Sequence, residues 1–337
     1  MAQTTRPLRV CSYEDRPVAM DSLILMGESL CRADPDVSLH LTVPDAPASV
    51  RAWAAKRPQV ILSTTQPEGV TGWDVKPWLL QRELDAGAPE AVWLDDDMIV
   101  TRALSPLLNE FPRDSLIVAQ EWNGAEAPPF YQFWGMPMGR TMPMINACLV
   151  RVTPVHRPLL ERYFAMTQHP RYRELQARPL AQRPDAAIGD TNLLVALLES
   201  QEFSHVPFDY LRLGSQIVQC AGSSGYRPGQ RILDLFRGLP ALFHGIGRKP
   251  WDLRDERGIE RYLLDLATDV SPYVLTARQV ARSLDMHPAW MSPRTSLGAI
   301  FRGVTANHPA LAGLPLAVLH AIHTTIAPPT RIVENPQ

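Results

Sequence analysis

Ala91-Val92-Trp93-Leu94-Asp95-Asp96-Asp97-Met98-Ile99-Val100 places three consecutive carboxylates inside an otherwise apolar run. A buried, unpaired carboxylate costs several kcal/mol or gives up its charge. Three neighbours therefore cannot all stay charged and dry without a cation. In an extended segment residues i and i+2 point the same way, so Asp95 and Asp97 converge on one side and Asp96 turns to the other. Two hard oxygen donors at that spacing suit Mg²⁺ or Mn²⁺, which are held by one or two carboxylates together with substrate phosphates.

Upstream of this run the pattern alternates. Leu8–Tyr13 is a short apolar strand ending in Glu14-Asp15-Arg16-Pro17. Apolar residues then recur at helical spacing over about 19–31. Val37–Val43 and Val60–Ser63 read as strands, Ser49–Lys56 and Pro77–Asp85 as helices, and Ala91–Leu94 as the fourth strand. Strand and helix in alternation predict an α/β fold with a largely parallel sheet. Ligands of such sheets bind beyond the carboxyl ends of the strands, where Glu14-Asp15 and Asp95–Asp97 fall. Further strands are expected at Leu116–Gln120 and Ala147–Val152, and further helices at His156–Met166 and Asp190–Glu199. Asn123–Pro143 reads as a long irregular loop.

With 337 residues the chain has room for one large domain or two ordinary ones. Lys and Arg number 33 and Asp and Glu 35, a formal net charge of −2. That balance argues against a nucleic-acid partner. The four cysteines show no metal-ligand spacing, which suits free thiols in a reducing cytoplasm. The first residues hold no apolar signal core. Only three of the 33 basic residues are lysine, Lys56, Lys76 and Lys249, and the last two each open a Lys-Pro-Trp tripeptide.

Four segments resemble GT-A-fold glycosyltransferases. WLDDDMIV (Trp93–Val100) looks like their strand followed by Asp-x-Asp. MINACLVRV (Met144–Val152) resembles the Asn-Ala-Gly strand of the glycogenin-like retaining family 8, with Cys148 in place of Gly. IGDTNLLVALL (Ile188–Leu198) resembles that family's Asp-Gln-Asp segment, with Thr191 for Gln and Asn192 for the second Asp. FHGIGRKPW (Phe243–Trp251) resembles its late His-x-x-Gly…Lys-Pro-Trp motif, one residue shorter. GWDVKPWLLQREL (Gly72–Leu84) looks like the helix leading into the Asp-x-Asp strand of uncharacterised bacterial relatives. The likeness covers about residues 8–251.

The resemblance implies a GT-A (Rossmann-like nucleotide-diphospho-sugar transferase) catalytic domain over 1–254 and a C-terminal helical extension over 255–337. It implies transfer of a sugar from a nucleoside diphosphate donor, a UDP-sugar foremost, to an unknown glycan, lipid or small-molecule acceptor, with retention. The implied metal ligands of a Mn²⁺ or Mg²⁺ ion are Asp95, Asp97 and, from a late loop, His244. Tyr13, Glu14, Asp15, Lys76, Asp96, Gly247 and Lys249 are expected at the nucleotide and diphosphate, and Asp190 and Asn146 at the sugar and acceptor. The alternatives are a haloacid-dehalogenase-like phosphatase, whose nucleophile motif is also strand then Asp-x-Asp, and a non-catalytic nucleotide-sugar-binding protein.

After Trp251 the sequence turns to charged helical segments, Asp255–Ala267 and Thr276–Leu284. An uncharged tail follows from Gly303 to Thr330. No stretch reaches the ~20 predominantly apolar residues of a membrane span. Arginines such as Arg254, Arg257, Arg261, Arg278, Arg282, Arg294 and Arg302 are offset by Asp252, Asp255, Glu256, Glu260, Asp265 and Asp269. The expectation is a soluble, cytoplasmic protein whose tail docks on the domain, with a weak peripheral contact at the inner face of the membrane as the other option.

Overall fold

The computed structural model describes residues 7–121, 126–222, 224–247, 249–252 and 258–326. The expected 254/255 boundary and Arg254, Asp255, Glu256 and Arg257 lie outside them, as do the start of the Asn123–Pro143 stretch and the tail beyond residue 326.

The strands are β1 (Arg9–Tyr13), β2 (Ser38–Thr42), β3 (Val60–Ser63), β4 (Ala91–Leu94), β5 (Met98–Val100), β6 (Leu116–Gln120), β7 (Ile145–Val152), β8 (Phe208–Leu211), β9 (Ile217–Cys220) and β10 (Leu242–Gly245). Seven form one sheet in the order β3-β2-β1-β4-β7-β6-β8. Its pairs are parallel, except that β7 runs antiparallel to both β4 and β6. The α/β class expected from the sequence is the one found. β4 is buried along its whole length, as a central strand covered by helices on both faces should be.

One face of the sheet is covered by the helix Met20–Ala33 and the other by the helices Lys76–Asp85, Arg157–Thr167 and Asp190–Glu199. A second sheet, β5-β10-β9, was not anticipated. Its β10 pairs antiparallel with β5 and parallel with β9. This corrects the expectation of a late loop: His244 and Gly245 end a strand, with His244 opposite Met98 and Gln219. Tyr273, Val274 and Ala277 of the helix Pro272–Ser283 pack with Ile99 and Phe243 of the small sheet and with Leu25.

Asp95–Asp97 is thus the short link by which the chain leaves the large sheet and enters the small one. Asp95 N–H donates to Cys148 O at 2.8 Å, prolonging the β4–β7 ladder, and Gly245 N–H donates to Asp97 O at 3.0 Å. The β6–β7 register slips between Val118 and Ala119, so β7 bulges at Ala147–Leu149. Bulges re-aim side chains next to functional sites, and this one lies beside the acidic link.

Candidate functional site

Asp95, Asp97 and His244 present one ligand atom each within 4.8 Å of one another. Asp97 and His244 are buried. His244 Nε2 lies 3.2 Å from Asp97 Oδ1, in a geometry that leaves this oxygen without a hydrogen bond, and His244 Nδ1 has no hydrogen-bond partner. An orphaned buried acceptor such as Asp97 Oδ1 is costly, and a bound cation would satisfy it. Two carboxylates and an imidazole suit a first-row divalent ion, with the imidazole favouring Mn²⁺ over Mg²⁺. The residues present therefore fit such an ion.

Lys249 Nζ contacts Asp97 Oδ2 and donates to Gly245 O at 2.7 Å. Burial alone would raise the Asp97 carboxyl, but Lys249 and His244 hold it below the ordinary carboxylate range. Burial lowers the His244 imidazole, yet the Cys148 thiol and Asp97 beside it lift it well above its usual value. Burial raises Asp95, opposed by Lys76. Two carboxylates thus face two cationic groups, a balance that a divalent ion could take over.

Asp96 faces away, although Asp95–Asp97 is a turn between β4 and β5 and not the extended segment expected. It is buried, accepts from Ser22 Oγ at 2.9 Å and meets Arg16 Nη2 at 3.3 Å. Burial and the neighbouring Glu14 and Asp97 raise it well above the ordinary range. Glu14 Oε1 accepts from Asp15 N at 2.9 Å and from Arg16 N at 2.7 Å, and Oε2 from Arg16 Nη2 at 2.6 Å. Asp15 Oδ2 accepts from Tyr13 Oη and from Gly72 N, both at 3.1 Å. Tyr13 to Arg16 thus stand at the carboxyl end of β1, and their polar atoms bond one another as well as Asp96, Gly72 and Gln66.

Lys76 opens its helix but does not reach solvent. Its ammonium is buried, 2.7 Å from Asp190 Oδ2, 2.8 Å from Ala147 O and 3.8 Å from Asp95 Oδ1, over the Trp93 ring. Burial would lower it, but Asp190 and Asp95 raise it. Asp190 is the first residue of its helix, after Gly189, and also accepts from Tyr163 Oη at 2.8 Å. Lys76 therefore links Asp190 to the acidic cluster. Asn146 donates to Glu121 Oε2 at 3.0 Å and to Gln219 Oε1 at 3.3 Å, and its own Oδ1 accepts from Cys148 N at 3.0 Å. Gly247 has φ +67°, and a side chain added there would meet nothing within 4 Å of its Cβ. Only glycine adopts that backbone freely, and the open space leaves room for a ligand.

Sequence reasoning missed Arg16, Ser22, Tyr163 and Gln219. Arg16 stands two residues from Glu14, a visible signal. Ser22, Tyr163 and Gln219 lie within regular elements, where no local pattern marks them. A cleft of about 870 Å³ lies at the other end of the strands, lined by residues that include Asp34, Glu90 and Arg113. Asp34 is already engaged there by Ser105 at 2.7 Å.

Next to this network Tyr172 Oη donates to Asp74 Oδ1 at 2.7 Å. Burial pushes the Asp74 carboxyl up from 3.8 to about 7. The folded state then binds a proton that the unfolded state releases, so stability falls as pH rises from about 4 to about 7. Asp74→Asn should therefore be more stable than the parent at about pH 8, by about 2–4 kcal/mol, and lose that advantage near about pH 4. Urea titrations at the two pH values check this, and equal differences at both would refute it.

No family model and no curated protein matches the sequence. Among solved structures the chain is similar to the glycosyltransferase GlyE of Streptococcus pneumoniae TIGR4, at 14% identity over 87% of this chain and 66% of that one, TM-score 0.48. It is similar to the WbbM bifunctional glycosyltransferase, at 15% identity over 75% and 48%, TM-score 0.48. It is also similar to the galactosyltransferase LgtC, solved with donor and acceptor sugar analogues, at 17% identity over 76% and 94%, TM-score 0.45. The chain spans about two thirds of the length of GlyE and about half of WbbM.

Proposed function

We propose that this protein is a metal-dependent glycosyltransferase that moves a sugar from a nucleoside diphosphate donor, a UDP-sugar foremost, to an acceptor, with retention. The observation that carries the reading is the Asp95–Asp97–His244 donor set at the carboxyl end of β4, with Lys249 beside it. Retention rests on the resemblance of Phe243–Trp251 to the late motif of a retaining family.

Departure of the diphosphate builds negative charge on a phosphate oxygen, and catalysis must stabilise that charge more in the transition state than before it. A bound divalent ion would supply Lewis acidity there, held by Asp95, Asp97 and His244. Lys249, on the turn after β10, adds a compact positive charge for the same phosphates. Lys76 holds Asp190 and Asp95 in fixed relation on the sugar side, and Asn146 on β7 bonds Glu121 and Gln219, the latter paired opposite His244. The Tyr13–Asp15 turn would meet the base.

The test is thermal shift against a panel of nucleoside diphosphates, with and without Mn²⁺. Ligands that bind only the native state raise melting by mass action, about 2.7 kcal/mol at a hundredfold excess over Kd. UDP with Mn²⁺ should stand out. A shift of equal size without the metal, or none with any nucleotide, would refute the reading.

A further inference from the structure

We propose that the cleft between the helix Pro170–Gln176 and the segment 178–184 binds a carboxylate or phosphate group carried by the acceptor saccharide. The cleft has a volume of about 770 Å³, and its lining includes Arg171, Arg178, Arg183, Glu174, Phe133 and Gln182. Clefts of several hundred Å³ are of the size that takes small ligands. The lining carries an excess of two positive charges, in a chain whose net charge is −2. The flanking Arg173 and Asp185, both exposed, leave that excess unchanged.

The three arginines are held in ways that leave their charge uncompensated or exchangeable. Arg171 lies over the Phe133 ring at 4.2 Å and the Trp134 ring at 5.6 Å, and the two rings meet edge to face. The rings orient the guanidinium without neutralising it, and among the described residues no carboxylate pairs with it. Arg183 donates to Arg178 O at 3.0 Å, to Ile188 O at 3.0 Å and to Gln176 O at 2.8 Å. Carbonyl oxygens fix its position and carry no net charge to cancel its own. Arg178 donates to Glu174 Oε1 at 2.6 Å, with the two side chains 46% and 69% exposed. An ion pair so exposed contributes less than about 1 kcal/mol, so an incoming anion competes with it readily. Planar guanidinium forks match the oxygens of a carboxylate or a phosphate, and here three of them line one cleft.

The walls of the cleft also grip the chain that leads to the proposed sugar side. Trp134 Nε1 donates to Ala186 O at 3.1 Å, Gln176 Nε2 to Ala187 O at 2.7 Å and Arg183 Nη1 to Ile188 O at 3.0 Å. Asp190 stands two residues beyond Ile188, at most about 7 Å along the chain. The cleft therefore borders the segment that carries Asp190, and none of its lining residues belongs to the Asp95–Asp97–His244 set or to Lys249. That the anionic group sits on a saccharide rests on the proposed sugar transfer, whereas the preference for an anion rests on the arginines alone.

The experiment is isothermal titration of the full chain, free of nucleotide and metal, with trigalacturonate, glucose 6-phosphate and neutral maltotriose. One of the two anionic saccharides should bind at least about tenfold tighter than maltotriose, and which of them does so identifies the group as carboxylate or phosphate. Salt at about 0.5 M should weaken that binding. Arg171→Gln combined with Arg178→Gln should lower the affinity about tenfold or more, with thermal melting little changed because both side chains are exposed. Arg178→Gln alone breaks only a surface pair and should still lower it about threefold. Asp97→Asn, outside the cleft, should bind the anion as the parent does. Equal affinity for maltotriose, binding of neither anion, or binding untouched by the arginine substitutions overturns the proposal. A parent that binds the anion but is stabilised by no nucleotide keeps the anion site and sinks the sugar-transfer reading, and the converse pattern refutes the cleft alone.

Discussion

Asp97→Asn is expected to abolish Mn²⁺-dependent binding of a nucleoside diphosphate, lowering metal affinity by more than the 10–100-fold typical of outer-shell partners. The reason lies in the geometry around its two oxygens. Oδ1 faces His244 Nε2 with no hydrogen bond of its own, and Oδ2 meets Lys249. An amide in its place loses the charge that binds an ion and that balances two cationic groups. Asp96→Asn is the matched control. Asp96 lies on the opposite side with Ser22 and Arg16, and its carboxyl is raised toward the neutral form. An amide resembles a protonated acid closely enough that metal binding should change little. Isothermal titration with Mn²⁺ checks both variants. Loss of binding in Asp96→Asn with retention in Asp97→Asn would overturn the assignment of faces.

The sequence pointed to that assignment through the alternation of a strand, yet Asp95–Asp97 forms a turn between β4 and β5, so the opposite facing of Asp96 comes from the turn and from its bonds to Ser22 and Arg16. β1 to β4 and the helices between them were legible. Each is a compact apolar or helical pattern closed by turn residues. The antiparallel course of β7 was not, since Ile145–Val152 is apolar throughout and such a run fits either direction. The small sheet was missed because β5, β9 and β10 have only three or four residues each and, unlike the equally short β3 and β4, fall outside the strand–helix alternation of Leu8–Leu94. Segments that short carry no measurable period. His244 entered through a resemblance, and its place on a strand came from pairing with β5 and β9. The outward apolar face of the helix Gly258–Asp269, with Ile259 and Leu263 exposed and Asp265 and Asp269 buried, was illegible for a deeper reason. Periodicity shows that Ile259 and Leu263 share a face, as do Asp265 and Asp269, but cannot say which face the rest of the chain covers.

Lys76 shows the same limit at one residue. Read from sequence, Lys76-Pro77 starts a helix, and an ammonium at that position would ordinarily sit in water. Three features outside the helix decide otherwise: the Asp190 carboxylate, the Ala147 carbonyl exposed by the bulge in β7, and the Trp93 ring. Lys76→Met should consequently destabilise the fold by about 3–5 kcal/mol, because it strands the Asp190 carboxylate in a buried site with Tyr163 as its remaining side-chain donor. Combining it with Asp190→Asn removes the stranded charge, so the double variant should regain a large part of that loss, and the coupling between the two sites should exceed about 1 kcal/mol. Urea denaturation of the parent, both single variants and the double one measures this. Lys76 also lies 3.8 Å from Asp95, so Lys76→Met should weaken Mn²⁺ binding about 10–100-fold, as loss of an outer-shell partner does. A purely structural lysine would shift the denaturation midpoint and leave the metal affinity of the folded protein untouched. That outcome would detach Asp190 from the proposed metal centre and remove its proposed role on the sugar side.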